Sequence, residues 1–405
     1  MASLLVVSEI FYPEGGGAEL ATYLILKLLS QSGFKISVVT GTEKPIKIPG
    51  VKYYITPYLR FANRLTRFKR LKLLANTQFF NRLIREHNIL YIPLGSHCLV
   101  SLAKKKKMKV VVHLHNYAPV RYSSVKYFFE PYVVGVLDEF RLAVFHEYYA
   151  HRSLTRTLLS PLPFLIYLLE RKFIEEADKI ICVSHRQAEI VARNNPRLAN
   201  KIEVVYNPLP LGLLESEPRK ELDDTPTFLY VGGDSYMKGF HVLLQVIKML
   251  GKREAKAKFI LAGKYGFESF LILRQLGERY RNLEINVEGK IEYSELIKLH
   301  QKAWALIFPS ICEEPLPYAV AEAAALGTVP IATKVGGVVE LLSDTIASRY
   351  VFAPGMYAEL FEKLVDLSFY NVNEVKALGL ELRKGILSKL DQREITKRII
   401  QALKD

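Results

Sequence analysis

The chain contains 405 residues, 50% of them apolar and 24% charged, which excludes a disordered or low-complexity protein and allows two domains of ordinary size. Three cysteines, Cys98, Cys182 and Cys312, are too few and too far apart to indicate a disulfide framework or a zinc cluster. The net charge of +15 lies in the first half, because residues 1–210 hold 30 of the 56 Lys and Arg but only 15 of the 41 Asp and Glu. This segregation favours an anionic partner for the first half.

The first predicted elements form a βαβ unit. An apolar strand over residues 4–7 leads to a loop that ends in three glycines at 15–17. A helix follows over 18–32, where leucines recur at helical spacing, with Gly33 as its C-cap, and a second strand covers 35–40.

We expect a cytoplasmic protein without a membrane span. The first residues lack the basic region and the apolar length of a signal peptide. The longest apolar stretch, residues 158–169, contains two prolines and falls short of the ~18 residues that a spanning helix needs. The charge of the first half adds the expectation of peripheral attachment to the cytoplasmic face of a membrane.

The same plan restarts in the second half of the chain. A strand over 228–231 leads to Gly232-Gly233 and then to Lys238-Gly239. A helix is predicted over 240–250, capped by Gly251, and a further strand follows it. The repeat indicates a second βαβ opening.

Two such openings predict an α/β protein of two doubly wound domains with parallel sheets. We place a Rossmann-like domain at residues 1–212, a second one at 213–385, and a C-terminal helix that crosses back to the first domain at 386–405. Neither opening matches G-x-G-x-x-G, which argues against a dinucleotide-dependent dehydrogenase. Glycines at strand ends indicate close approach of the backbone to a ligand, although a flexible helix start would also explain Gly15 to Gly17.

The most informative segment covers residues 308–327. Pro317 suits the first position of a helix and Gly327 suits its exit. Glu322 lies within that alanine-rich helix, where an unpaired carboxylate would cost several kcal/mol. Its partner is either the vicinal hydroxyls of a ribose or a buried Lys or Arg. Glu314 precedes the helix, either near the reacting end of a ligand or as a solvated loop acid.

Here the sequence resembles a known family. Glu314 and Glu322, followed by Pro330, Thr333 and a Val-Gly-Gly run with Glu340, resemble the signature of glycosyltransferase family 4, which has the GT-B fold of two facing Rossmann-like domains. Further segments resemble the family in order and spacing along almost the whole chain: residues 11–19, 110–116, 177–184, 205–208, 238–239 and 287–289.

The resemblance implies a glycosyltransferase that retains the anomeric configuration and uses a nucleotide-sugar donor, with no metal and no other cofactor. The chain has no Asp-x-Asp motif. By resemblance the catalytic residues are His115, which lies against the transferred sugar, Lys238, which neutralises the leaving group, and Glu314, which contacts the donor sugar. No side chain is identified as a covalent nucleophile, which favours a front-face mechanism in which the leaving phosphate helps to deprotonate the acceptor.

The resemblance also implies a set of donor-binding residues. Gly16 and Gly17 would approach the diphosphate and Glu322 would hold the ribose. The full set is Gly16, Gly17, Gly232, Gly233, Gly239, Gly289, Leu316, Tyr318, Ala319 and Glu322.

Two positions depart from the family pattern. Gly233 stands where the family usually has Arg, so Lys238 acts alone or with another basic residue. Pro317 stands where the family often has Gly, and because proline has no N–H, any backbone contact to the donor shifts to Leu316, Tyr318 or Ala319.

The acceptor is expected on the basic first half. Residues 59–74 resemble an amphipathic helix with Arg60, Arg64, Arg67 and Arg70 along one face, which would lie either on an anionic membrane or with its apolar stripe in the core. The aromatic-rich segment from His115 to Ala177 would form an acceptor pocket or a membrane-facing surface.

We therefore expect a sugar, a glycan, or a lipid-linked or otherwise anionic molecule at the membrane surface as the acceptor. The alternatives are a nucleotide-sugar epimerase of the same fold, a transferase acting on a soluble sugar, and a basic nucleic-acid-binding protein on an idle GT-B scaffold, which is the least favoured partner class.

Overall fold

The computed structural model describes residues 2–61, 63–151, 153–215 and 219–405. The chain divides into two compact units: the first comprises Met1–Pro208 together with Gln392–Asp405, and the second comprises Leu209–Asp391. The boundary thus falls four residues before the one we placed between residues 212 and 213.

The first unit contains a parallel sheet of seven described strands: β1 (Ser3–Ser8), β2 (Lys35–Thr40), β3 (Lys52–Ile55), β4 (Ile89–Ile92), β5 (Lys109–Leu114), β6 (Lys179–Cys182) and β7 (Ile202–Val204). Their order in the sheet is β3-β2-β1-β4-β5-β6-β7. The strand β1 is buried along its whole length, as expected for a parallel sheet with both faces covered.

The helices of this unit fill the crossovers between the strands. Those before residue 209 are α1 (Gly17–Gln31), α2 (Arg64–Asn76), α3 (Gln78–Glu86), α4 (Leu99–Lys105), α5 (Val136–His151), α6 (Leu154–Leu159), α7 (Pro161–Glu175) and α8 (His185–Asn194). The helix predicted over residues 59–74 begins at Arg64, because the side chain of Asn63 caps it by accepting the Thr66 N–H at 2.9 Å.

The second unit contains a parallel sheet of six described strands and the helices between them. Its elements are α9 (Leu211–Glu215), β8 (Thr227–Val231), α10 (Phe240–Lys252), β9 (Ala257–Ala262), α11 (Phe267–Arg279), β10 (Leu283–Glu288), α12 (Tyr293–Lys302), β11 (Ala305–Phe308), α13 (Tyr318–Ala325), β12 (Val329–Thr333), α14 (Val338–Leu342), β13 (Val351–Phe352), α15 (Tyr357–Ser368) and α16 (Val372–Lys389). The order of the strands in the sheet is β10-β9-β8-β11-β12-β13.

The last helix, α17 (Gln392–Lys404), belongs to the first unit and packs against α1 and β6. Its buried face carries Ile395, Ile399 and Leu403. It begins six residues later than the start that we placed at 386, because α16 continues to Lys389.

Two predicted helix ends differ from the structure. The helix α10 runs through Gly251 instead of ending before it, and the ring of Tyr280 lies where a side chain at residue 251 would be. Pro317 precedes α13 as its N-cap instead of occupying the first helical position, with extended backbone (ψ 117°). Gly327 does follow the end of that helix, in the left-handed conformation (φ +69°) that favours glycine.

Each sheet lies in its own apolar core. Side chains such as Leu5, Val7 and Val112 are fully buried in the first unit, and Phe228, Leu261 and Ile307 are buried in the second. Within the part of the chain that the structure describes, no helix has both the length and the apolar character that a membrane crossing requires.

Candidate functional site

The loop between β8 and α10 approaches its neighbours so closely that two of its positions require glycine. Gly233 has φ +59°, and a Cβ there would overlap the backbone of Lys264. Gly239 has φ +75° and lies against the carbonyl of Pro309 in the same way. Both are left-handed conformations that glycine adopts without strain. An Arg, the usual family residue at position 233, therefore cannot be accommodated in this loop conformation.

The same loop is fixed to the loop that follows β11. The N–H of Ile311 donates to the carbonyl of Met237 at 3.0 Å, and the Ser310 hydroxyl donates to the same carbonyl at 3.1 Å. These contacts hold Lys238 opposite the residues that precede α13. The backbone of two separate loops thus positions the predicted phosphate lysine.

Lys238 and Glu314 form an ion pair. The Lys238 Nζ donates to Glu314 Oε1 at 2.5 Å, and the Ser310 hydroxyl approaches the same oxygen at 3.3 Å. The Glu314 side chain is only 17% exposed, so it is not the solvated loop acid that we considered as the alternative. Burial disfavours the Lys238 ammonium, but the neighbouring carboxylate outweighs it and raises the lysine pKa. The structure thus brings two of the predicted catalytic residues together.

Glu313, beside it, has a structural contact of its own. Its buried carboxylate accepts the N–H of Gly336 at 2.6 Å, and the N–H of Gly337 donates to the Glu314 carbonyl at 2.9 Å. Gly336 has φ +49°, and a Cβ there would overlap the Glu314 backbone. The Val-Gly-Gly run therefore holds the acidic loop in place, a role that motif spacing did not predict.

Glu322 is buried within α13 as predicted, but its partner was not anticipated. The hydroxyl of Tyr293 donates to Glu322 Oε1 at 2.8 Å. Among the described residues, no Lys or Arg forms an ion pair with this carboxylate. Burial raises the pKa of Glu322 to about 7, although the Tyr293 hydrogen bond lowers it. The carboxyl group therefore retains the capacity to accept further hydrogen bonds from a ligand.

The predicted contacts around Pro317 lie at the start of α13. Leu316 is buried, whereas Tyr318 and Ala319 are half-buried on the first turn. Gly289 follows β10, where its carbonyl accepts the N–H of Gly263 at 3.2 Å and a Cβ would meet only open space. The structure places all four at the carboxyl ends of strands of this sheet, where ligands of such folds bind.

In the first unit, His115 follows β5. Its Nε2 is buried and has no hydrogen-bond partner among the described residues. Burial lowers its pKa to about 4, so the ring is neutral at pH 7. The ring of His113 lies beside it, tilted by 31° with 4.4 Å between centroids, and is itself held by Tyr91, whose Oη lies 2.6 Å from His113 Nδ1. His115 is thus a positioned neutral hydrogen-bonding group.

Gly16 and Gly17 form the start of α1. The N–H of Gly16 donates to Glu19 Oε2 at 2.7 Å, and Gly15 has φ +87°. A carboxylate therefore already occupies the helix N-terminus at which we expected a diphosphate. Glu19 was not singled out from the sequence.

The interpretation of residues 59–74 as a basic membrane-facing helix is wrong for Arg64 and Arg67, the middle two of its four arginines. Arg67 donates to Glu170 of α7 at 2.6 Å, and Arg64 lies 3.8 Å from the other oxygen of the same carboxylate. Both side chains are mostly buried. They hold α2 to α7 and are not available to lipid.

A cavity of about 420 Å³ lies beyond the carboxyl ends of β1 and β2. The Glu9 carboxylate accepts hydrogen bonds from Ser96 Oγ at 2.8 Å and from the N–H of Gly95 at 3.1 Å. Burial raises the Glu9 pKa, although Arg67 lowers it. The cavity is lined by Glu9, Ile10, Glu14, Gly41, Glu43, Leu59, Arg60 and Phe61. Among the described side chains, no cluster of His, Cys, Asp or Glu could hold a metal ion.

Comparison with known proteins agrees with this geometry. The sequence model described as Glycosyltransferase Family 4 matches residues 15–212, and the one described as Glycosyl transferases group 1 matches residues 215–377. One subunit of the human phosphatidylinositol N-acetylglucosaminyltransferase is 23% identical over 354 residues, which cover 85% of this chain. The match covers only 64% of that relative's length. Neither the family models nor this relative favours the epimerase alternative or the nucleic-acid-binding alternative.

Two solved structures show the fold. Sucrose-phosphate synthase from Thermosynechococcus elongatus aligns with a TM-score of 0.70 at 17% identity, covering 99% of this chain and 98% of that one. The Anabaena protein HepE in complex with UDP-glucose aligns with a TM-score of 0.67 at 16% identity, covering 100% of both chains. The predicted GT-B fold is confirmed, and the chain belongs to glycosyltransferase family 4.

Proposed function

We propose that the chain transfers a sugar, with retention of anomeric configuration, from a nucleoside diphosphate sugar to an acceptor at a membrane surface. The observation that carries this proposal is the buried Glu322 carboxylate, which lacks a cationic partner among the described residues and lies in the helix that follows the loop of the Lys238–Glu314 ion pair. A buried carboxylate with one neutral donor is suited to two ribose hydroxyls, because it can accept several hydrogen bonds.

The donor diphosphate would compete with Glu314 for Lys238. Without a ligand, the ammonium is compensated by the carboxylate at 2.5 Å. A diphosphate carries more negative charge than one carboxylate, so Lys238 would transfer its contact to the phosphate oxygens. Glu314 would then be free to accept hydrogen bonds from the donor sugar. The UDP-glucose bound in the Anabaena structure supports a UDP-sugar as the first donor to test.

The proposed chemistry is a front-face displacement. The acceptor hydroxyl attacks the anomeric carbon on the face that the diphosphate leaves, and a leaving phosphate oxygen takes the hydroxyl proton. Lys238 would stabilise the charge that develops on the leaving oxygen. We expect no metal to be needed, and transfer should persist when the chelator EDTA is present.

His115 would contact the transferred sugar as a neutral group. Its lowered pKa favours the uncharged ring, which can donate one hydrogen bond and accept another. An imidazolium is not required, so we expect no loss of transfer between pH 6 and 8 from titration of this residue.

The acceptor we propose is lipid-linked and carries hydroxyl groups. The name of the human relative, which refers to phosphatidylinositol, supports a lipid acceptor, and the charge excess of the first unit supports an anionic one. The cavity beside Glu9, Glu14 and Glu43 offers carboxylates that accept hydrogen bonds from hydroxyls. We propose that the enzyme meets this acceptor at the cytoplasmic face of a membrane.

The test is transfer from UDP-glucose or UDP-N-acetylglucosamine to phosphatidylinositol in vesicles, compared with free sugars and with donor alone. Proton NMR of the product reports the anomeric configuration. An α-linked lipid product from an α-linked donor would support the proposal. Inversion would contradict it, and conversion of the donor without an acceptor would identify an epimerase instead.

A further inference from the structure

A row of leucines on the surface of the first unit takes no part in the site described above. Leu154 and Leu158 of α6 are 70% and 79% exposed, and Leu162, Leu165 and Leu169 of α7 are exposed as well. We call these five residues the leucine stripe. With Leu159, which is exposed as well, six exposed leucines lie within 16 residues; scattered exposed leucines are ordinary, but this density needs an explanation.

The two helices that carry the stripe follow one another almost without interruption. Ser160, between them, has helical dihedral angles (φ −55°, ψ −27°), and the Phe164 N–H donates to its carbonyl at 3.1 Å. The spacing of four, four, three and four residues therefore places the leucines along one side of a nearly continuous helical segment.

The opposite side of α7 faces the protein. Phe164, Tyr167 and Glu170 are buried, and the first two belong to an aromatic cluster with Tyr122 and Ala143. Glu170 binds Arg67, which fixes the orientation of α7 about its own axis. The leucines of α7 are exposed because this helix is held by its other face, whereas α6 has no buried residue of its own.

The charges near the stripe favour a lipid surface. Residues 154–169 contain no Asp or Glu, and Lys172, which is exposed, follows Leu169 by three residues and so continues the same side of the helix. An apolar stripe with a lysine at its end matches a helix that lies in the plane of an anionic bilayer, with the ammonium at the headgroups. Protein interfaces, in contrast, are enriched in Tyr, Trp and Arg.

We propose that the leucine stripe is a docking surface that lies in the interface of an anionic bilayer and holds the enzyme there. It deepens the proposed function, because a lipid-linked acceptor requires the enzyme to work at a membrane. Binding by the stripe does not itself require transfer. The amphipathic surface is thus α6 and α7, and not the arginine face of α2.

The test is vesicle flotation at low salt of three forms of the full chain. The stripe variant carries Leu158→Glu and Leu165→Glu, and the control carries Phe267→Glu and Phe369→Glu, two side chains that are each 77% exposed in the second unit. We expect the wild type to float with phosphatidylcholine vesicles that contain phosphatidylglycerol. The stripe variant should bind at least about tenfold more weakly, while the control stays unchanged.

Two further variants sharpen the test. Leu158→Phe with Leu165→Phe keeps the stripe apolar and should retain binding. Lys172→Gln should weaken binding to anionic vesicles about fivefold, the effect of one basic residue near such a surface, and should leave binding to pure phosphatidylcholine unchanged. Circular dichroism melting of each variant excludes unfolding as the cause.

Three results would overturn the proposal: failure of the wild type to float, an equal loss in the control, or a dimer in ultracentrifugation that the stripe variant disrupts without any vesicle binding. Thermal-shift measurement with UDP, GDP and ADP tests the proposed reaction separately from the docking surface. A wild type that floats but binds none of these nucleotides would contradict the proposed transfer and leave the docking surface standing.

Discussion

The two units hold the segments that surround their sheets by different means. In the second unit, the loops around Lys238 are joined by backbone hydrogen bonds and by glycines that leave no room for a side chain. In the first unit, long-range ion pairs between side chains, such as Arg67 with Glu170, hold the helices that flank the sheet. The difference teaches that the proposed donor side is fixed by main-chain packing, which suits one constant class of ligand, whereas the proposed acceptor side is fixed by side chains that sequence changes can alter.

The largest expected effect is on the ion pairs of the first unit. Glu170→Ala removes the carboxylate that compensates Arg64 and Arg67, and leaves two buried guanidinium groups without it. We expect the free energy of unfolding to fall by about 3–5 kcal/mol, as for other broken buried ion pairs. Urea unfolding followed by circular dichroism measures it. The control Glu362→Ala, at an exposed position, should change the stability little; an equally small change for both would contradict the structural role of Glu170.

The next largest effect is expected on the rate of transfer when Lys238, which the backbone of the second unit positions, is replaced. Lys238→Met should lower kcat of transfer by about 10²–10³-fold, the usual cost of losing one group that stabilises a developing negative charge. Lys252→Met, at an exposed lysine of the same unit, is the matched control. Steady-state kinetics with a UDP-sugar provide the measurement. A variant with unchanged kcat would remove Lys238 from the mechanism.

A smaller effect is expected for the close approach of the two loops. Gly239→Ala places a Cβ against Pro309 in a left-handed backbone conformation, which should cost about 2 kcal/mol of stability or more. Gly277→Ala, at a helical position with open space around it, should be neutral or slightly stabilising. Urea unfolding of both variants tests the comparison, and equal stability would show that the backbone packing is not as tight as described.

The smallest expected effect is the pH dependence of nucleotide affinity. Burial raises the Glu322 pKa to about 7, so a proton must leave before ribose hydroxyls can donate to both carboxylate oxygens. Affinity for uridine should therefore rise with pH up to and through 7, by at most about tenfold per pH unit, and level off above it. Uridine lacks phosphate and so does not itself titrate in this range. Calorimetric titration at pH 6, 7 and 8 measures this slope, and a Glu322→Gln variant with the same slope would assign it to another group.

The sequence was sufficient to predict those helices and strands whose limits depend on residues adjacent in the chain. The second strand, Lys35–Thr40, was placed correctly, and α1 was shifted by one residue, because local periodicity and glycine positions define them. The predictions that failed depend on distant residues. Gly251 lies inside a helix because Tyr280 packs on it, and Arg64 and Arg67 face inward because Glu170, 103 residues beyond Arg67, neutralises them.

The candidate site follows the same rule. Resemblance to the family identified Lys238 and Glu314 separately, but their ion pair joins residues 76 positions apart, which no motif spacing reveals. Burial of Glu322 followed from its alanine-rich helix, whereas Tyr293, its hydrogen-bond donor, carried no sequence signal. For the segment between β5 and β6, the sequence showed the aromatic-rich composition but not which side of each helix is exposed. The leucine stripe was therefore found only in the structure.

The central claim is that Glu322 holds the ribose of a nucleotide donor. Isothermal titration calorimetry of UDP at pH 8 with the wild type, Glu322→Gln and Glu362→Gln tests it most directly. We expect Glu322→Gln to weaken binding by about 1–3 kcal/mol, the cost of losing charge-assisted hydrogen bonds, and Glu362→Gln to bind as the wild type does. Equal affinity in all three proteins would contradict the assignment.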